Sequence, residues 1–269
     1  MLFKRITRAS PFPCVFHQTM IKEQVTILQL HTQIQNYFLE NSFFLFDFTS
    51  LNFLGNCSQK EKEFLLSNVQ NYVIPHFYII WKILKNPPVG RPIVAGYKWI
   101  FTPASIFVGH FLKEFYSKFD SILNDSLSLV KLLEISRFDK NCFLFTIDFK
   151  SLYTNIPVDD AIKSIKQLCF EFQNVIPNAH FIIELLDLVL NSRLMTFHGE
   201  YFQQIFGLIM ETNVAPILTN IYMAMLEFKC ETDPKLIWPI LLKRFIDDGF
   251  GITKGVREDV VYWIKKFNE

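Results

Sequence analysis

Hydrophobic positions recur along this chain in two periods, and its elements begin and end where the period changes. Residues 18–40 carry helical spacing (Ile21, Val25, Leu28, Leu30, Ile34) and run into the aromatic strip "FFLFDFTSLNFLG", which reads as core. "SQKEKEFLLSNVQNYV" predicts a helix capped by Ser58. "NPPVGRPIVAG" is a bend punctuated by proline and glycine that leads into an extended segment. From 104 to 135 a helical period runs through Ile106, Phe111, Phe115, Phe119, Leu123, Leu127 and Leu132, predicting one long helical stretch. "CFLFTIDF" is continuously apolar, as a buried strand is, and ends at an aspartate. Two helices follow, "PVDDAIKSIKQLCFEF", with acidic residues at its positive N-terminal end, and "AHFIIELLDLVLNS". "LMTFHGEYFQQ" predicts a hairpin turning at Gly199, and "VAPILTNIYMAMLEFKC" a helix opening at Pro216. "LLKRFIDDGFGIT" is a second hairpin with Asp247 and Asp248 at its tip, and "REDVVYWIKKF" is a closing helix. Mixed elements with hairpin-paired antiparallel strands predict an α+β fold.

Composition narrows this only a little. The chain has 269 residues, half of them hydrophobic and 30 of them Phe, enough to bury a core in one large domain or two small ones. A net charge of +1 neither favours nor excludes nucleic acid, because such binding needs a local basic surface. The cysteines (Cys14, Cys57, Cys142, Cys169, Cys230) are scattered, with no CxxC pair to suggest zinc and no disulfide framework, so a reducing compartment is expected. No apolar run reaches membrane-spanning length, and the basic start "MLFKRITRASPFP" lacks the apolar core of a secretion signal. We therefore expect an intracellular protein, not secreted and without a membrane partner.

Two acidic sites change the picture. Asp247 and Asp248 stand side by side in an apolar hairpin, where two carboxylates repel and are costly to bury. Asp148 ends an apolar strand, so it can face a cleft without interrupting the core. Brought together, three carboxylates need a counter-charge, and two magnesium ions about 4 Å apart, as in a two-metal phosphoryl-transfer site, supply one. "KILKNPPVGRPIV" offers Lys82, Lys85 and Arg91 with no acid among them, a segment able to meet phosphate. Asp159 and Asp160 also pair, but at a helix start, where the dipole accounts for them. His198 precedes a hairpin glycine and reads as a turn residue.

Taken together and in order, "GRPIVAG", "TIDFKSLYTNIP", "FHGEYFQQIFGLIMETNVAP" and "RFIDDGFGI" resemble the reverse transcriptases of Penelope-like retroelements, from about Pro75 to Gly255. The resemblance implies a right-hand polymerase fold with fingers and palm, the palm an antiparallel sheet backed by helices. It divides the chain into an N-terminal helical, fingers-like region (1–74), fingers (75–140) and a truncated palm (141–269), all within one continuous domain. It implies RNA-templated DNA synthesis with magnesium, or manganese, as the cofactor. Asp148, Asp247 and Asp248 would be catalytic and hold the metal, helped by the Phe149 carbonyl. Tyr153 matches the bulky gate that excludes a ribose 2′-hydroxyl. Lys82, Lys85 and Arg91 fall on the triphosphate-binding motif, and Ala215 and Pro216 on the helix that supports template and nucleotide. The implied partners are an RNA template, a DNA primer and deoxynucleoside triphosphates, and the implied location is nuclear or cytoplasmic.

The chain also departs from that pattern. Glu211 stands where the family has glycine, within "MET", and adds bulk and negative charge beside phosphates, so impaired nucleotide binding is expected. "WKILK" lacks the family's proline and histidine, and the thumb and endonuclease are not seen after the metal-binding hairpin, which suggests a fragment. Two rivals follow: a catalytically inactive remnant that at most binds nucleic acid, and an RNA-directed RNA polymerase, which Tyr153 disfavours.

Overall fold

Ser58 opens the first described helix as its sequence predicts. In this computed structural model, which describes residues 57–84, 86–173, 175–210, 212–254 and 256–267, Ser58 caps α1 (Gln59–Leu65). Its hydroxyl accepts from the Glu61 backbone N–H at 3.4 Å while the Glu61 carboxylate accepts from the Ser58 N–H at 2.7 Å, a reciprocal capping box. The helical and aromatic segments expected within 18–56, together with Lys85 and Glu211, lie outside the described residues.

Among the described residues, two sheets follow from the strand signals. Strands β1 (His76–Lys82) and β2 (Val89–Ala95) form an antiparallel ribbon from His76↔Ala95 to Lys82↔Val89. The hairpin β4 (Leu194–Phe197) and β5 (Glu200–Gln203) turns at His198 (φ 50°) and Gly199 (φ 82°), the left-handed pair a two-residue turn requires. These ribbons meet in parallel at His76↔Thr196 to give the order β2-β1-β4-β5, so this sheet is mixed rather than purely antiparallel. Phe77 and Phe197 meet edge to face at 5.2 Å and close a small core with Val94 and Ile209. The second sheet is antiparallel, in the order β3-β7-β6, from β3 (Phe143–Asp148), β6 (Leu241–Phe245) and β7 (Asp248–Thr253).

The main core lies among helices α2 (Thr102–Leu112), α5 (Val158–Glu171), α6 (Ala179–Asn191) and α7 (Ala215–Glu231). Val108, Leu112, Ile165, Leu168, Leu185, Leu186, Leu218 and Ile221 are buried there. Buried Ser105 of α2 accepts from the Val214 N–H at 2.9 Å, satisfying one of the free donors at the start of α7. Pro216 sits in the first turn of α7, as expected. A short helix α4 (Leu152–Asn155) follows β3, and α8 (Arg257–Phe267) buries Trp263.

Two expectations are overturned. The helical period over 104–135 does not make one stretch: α2 passes into a 3₁₀ helix (Lys113–Lys118), the chain leaves helix, and α3 (Ser126–Ile135) starts anew. Asp125 takes an extended conformation and accepts from the Ser128 N–H at 2.7 Å, a new helix start. The segment between pairs with β6, where the Arg244 N–H donates to Ser121 O at 2.7 Å and the Leu123 N–H to Arg244 O at 2.8 Å. Strand β3 is also not buried along its length. Among the described residues it is a sheet edge, with Ile147 buried, Phe145 half-buried and Leu144 61% exposed, so its apolar run hides an alternation of two faces. Among the described residues the four cysteines are free thiols, and no helix is long and apolar enough to cross a membrane.

Candidate functional site

The ladder between β3 and β7 ends with Asp148 directly opposite Asp248. One residue further, the Phe149 N–H donates to Asp247 O at 2.9 Å, so the turn between β6 and β7 is tied to the end of β3. Phe245 pairs with Asp248, which makes Ile246–Asp247 a two-residue turn. Asp247 is at the tip, as the sequence suggests, and Asp248 is the first residue of β7. The structure thus brings Asp148, Asp247 and Asp248 to one end of one sheet, all exposed to solvent.

The sequence around the turn explains why the strands can close there. Gly249 and Gly251 lie opposite Ile147 and Phe145. A Cβ at Gly251 would sit 2.0 Å from the Phe145 ring, so the ring lies over the bare backbone of the neighbouring strand. Sequence reasoning missed what lies under the turn: Arg244, fully buried, paired with Glu227 of α7. A period-two reading of β6 held the signal, because it puts Arg244 on the same inward face as Leu242.

Asp248 carries the electrostatic signature of the cluster. Partial burial pushes its carboxyl up from the ordinary aspartate value, and the charges of Asp247 and then Asp148 push it further. No cationic side chain among the described residues pairs with any of the three carboxylates. These are hard oxygen donors with uncompensated charge, a set that suits magnesium or manganese. They are not drawn into a closed cage: among the described residues no group of three or more His, Cys, Asp or Glu side chains forms a metal-binding cluster. The donor chemistry fits a divalent cation, and like-charge repulsion opposes closing the set without one.

Tyr153 is half-buried on α4, five residues beyond Asp148. The turn leading to it passes through Ser151 in the left-handed region (φ 54°). Asn155 holds that turn, its side-chain amide donating to Lys150 O at 3.1 Å and Ser151 O at 3.0 Å. From the other side the Leu208 N–H donates to Tyr153 O at 2.8 Å. Asn155 and the loop at Gly207 and Leu208 are further residues the sequence reading did not single out.

The remaining candidates lie elsewhere. Lys82 and Arg91 are exposed on the β1–β2 ribbon, and since Arg91 faces Ile80, the two share one face of it. No ion pair links them to the three aspartates. Pro216 is partly exposed at the start of α7, whereas Ala215 is fully buried. Ala215 therefore acts on any ligand only through the placement of its helix. Asp160 pairs with Lys163 at 3.2 Å on an exposed helix start, in keeping with a dipole role.

No protein-family model matches the chain, and no curated protein matches it in sequence. Solved structures do match. Apo telomerase from Candida tropicalis truncated from its C-terminal domain is 15% identical over 72% of this chain and 46% of that one, with a TM-score of 0.51. Apo telomerase from Candida tropicalis is 14% identical over 72% and 40%, with a TM-score of 0.51. Telomerase from Candida tropicalis in complex with a TWJ fragment of telomeric RNA is 16% identical over 71% and 37%, with a TM-score of 0.50. The chain spans less than half the length of these structures. At such identities the likeness shows the fold alone: the matched part of this chain folds like part of those telomerase structures.

Proposed function

We propose that this chain is an RNA-templated DNA polymerase domain of the Penelope-like type, adding deoxynucleotides to a DNA 3′-hydroxyl. One observation carries the reading: Asp148 lies opposite Asp248 with Asp247 beside it, three exposed carboxylates without a cationic partner among the described residues. Asp148, Asp247 and Asp248 would hold two magnesium or manganese ions, with the Phe149 carbonyl at hand. When bound, such ions activate the attacking hydroxyl and stabilise charge on the transferred phosphoryl group. The protein's share is positioning and electrostatics. Tyr153 places bulk where a ribose 2′-hydroxyl would lie, Lys82, Lys85 and Arg91 meet the triphosphate, and α7, from Ala215 and Pro216 onward, supports the template. The telomerase complex with telomeric RNA supports nucleic acid as the partner.

Glu211, in place of the family's glycine, favours a second reading, an inactive remnant that at most binds nucleic acid. Primer extension on an RNA template with magnesium and four deoxynucleotides separates the two. The chain should extend the primer, Asp148→Asn should not, and Tyr153→Ala should begin to accept ribonucleotides. Extension by Glu211→Gly alone would mean that the architecture suffices and Glu211 disables it. Folded protein of both forms that never extends would refute the polymerase reading.

A further inference from the structure

Arg244 has no exposed surface, and its guanidinium is fully satisfied. Nε donates to Glu227 Oε1 at 2.5 Å. Nη1 donates to Asn220 Oδ1 at 2.8 Å and to Ile246 O at 3.1 Å. Nη2 donates to Asn220 O at 2.9 Å and to Glu227 Oε2 at 3.4 Å. A guanidinium has five N–H donors, and here each has an acceptor. The partners are fixed in turn: Ser121 Oγ donates to Glu227 Oε2 at 2.5 Å, and Asn220 Nδ2 donates to the Tyr116 hydroxyl at 3.1 Å.

The bond to Ile246 O gives this network a bearing on the acidic site. That carbonyl belongs to the peptide joining Ile246 to Asp247, so fixing it fixes the direction in which Asp247 leaves the turn. Ile246 is β-branched and left-handed (φ 54°), a conformation such residues avoid, so the turn needs an outside hold. Glu227 neutralises the arginine, so the network holds the turn without offering a counter-charge to the three aspartates.

We propose that Arg244, with Glu227 and Asn220, is a positioning residue that sets Asp247 for binding a divalent cation. This rests on the polymerase reading of the acidic site. Lysine keeps the charge but offers one nitrogen, which cannot span Glu227, both Asn220 oxygens and Ile246 O. Groups that orient metal ligands typically change affinity by about 10–100-fold when altered.

The test is Mn2+ binding, read from the electron paramagnetic resonance of free Mn2+, with no nucleotide present. Wild type, Arg244→Lys, Asn220→Ala and Asp148→Asn are compared with Val189→Ala, a core truncation in α6 that lowers stability without touching the turn. All are measured at a temperature where circular dichroism shows them folded. The expected result is Asp148-dependent binding in wild type, unchanged in Val189→Ala and weakened about tenfold or more in Arg244→Lys and Asn220→Ala. Wild-type affinity in folded Arg244→Lys and Asn220→Ala would overturn the positioning role and leave the polymerase reading standing. Wild-type binding that is absent, or indifferent to Asp148→Asn, would overturn the metal site itself and the positioning role with it.

Discussion

Two glycines with nearly the same φ make a controlled comparison. Gly207 has φ 78° and Gly199 has φ 82°, so an alanine at either position carries the left-handed penalty, about 1–2 kcal/mol. Only the space differs. A Cβ at Gly199 meets nothing within 4 Å, whereas one at Gly207 would lie 2.6, 2.7 and 2.8 Å from Thr154 Cα, O and C. Those are backbone atoms of α4 and cannot rotate aside, so either α4 or the loop must move. Overpacking of this kind costs about 1–3 kcal/mol more. Gly199→Ala should therefore cost about 1–2 kcal/mol and Gly207→Ala about 2–5 kcal/mol. Equilibrium urea unfolding followed by circular dichroism measures both, provided the slopes agree with wild type. The bond from Leu208 N–H to Tyr153 O lies next to the clash, so amide exchange at Leu208 should quicken in Gly207→Ala and not in Gly199→Ala. Equal destabilisation by the two substitutions would refute the claim that α4 and the Gly207 loop meet backbone to backbone.

Two further predictions concern the sheet that carries the aspartates. Asp248 titrates above its ordinary value of 3.8, so between that value and the raised one the folded chain holds the extra proton and its stability falls as pH rises. Asp148→Asn removes one repelling charge. It should stabilise the chain in metal-free buffer above that interval, by no more than about 1 kcal/mol because the group is largely solvated, seen as a raised thermal midpoint, and the gain should vanish at lower pH. A gain independent of pH would show that the aspartates do not repel. Gly251→Ala forces a methyl into the Phe145 ring and should cost about 1–3 kcal/mol. Phe145→Leu in the same chain should recover part of that loss in urea unfolding, and purely additive costs would show that the ring does not lie over Gly251.

The parts legible in the sequence were those decided locally. The Ser58 cap, the turn at His198–Gly199, the Pro216 helix start and the aspartates flanking an apolar hairpin each depend on a few neighbouring residues. Residues 104–135 failed because the deciding partner is remote. The helical period is real as far as Leu112, but Ser121 and Leu123 bond to the backbone of Arg244, and no local pattern announces that. Strand β3 failed for a related reason. Phe143, Leu144 and Phe145 look alike as letters, and only the pairing to β7 makes the strand, among the described residues, an edge with an open face. The meeting of Asp148 with Asp248 came from resemblance rather than from spacing, since residues a hundred positions apart share no period.

The distribution of charge around the β6–β7 turn is more telling than any one residue. Below it lies a buried arginine whose charge is met by Glu227 and whose donors are all satisfied, and above it three carboxylates without a cationic partner among the described residues. Had Arg244 reached the aspartates, it would have favoured their charged forms and drawn Asp248 down. Asp248 is instead pushed up, and Arg244 is not among the causes. Burying a charge pair is costly and often contributes little to stability compared with apolar packing. That cost is understandable where geometry is what matters: the network holds the Ile246–Asp247 peptide rigid while leaving the acidic charge above it for an outside cation. A hydrophobic replacement of the Arg244–Glu227 pair should then weaken Mn2+ binding in a chain that circular dichroism still shows folded, a separation that a merely structural ion pair would not produce.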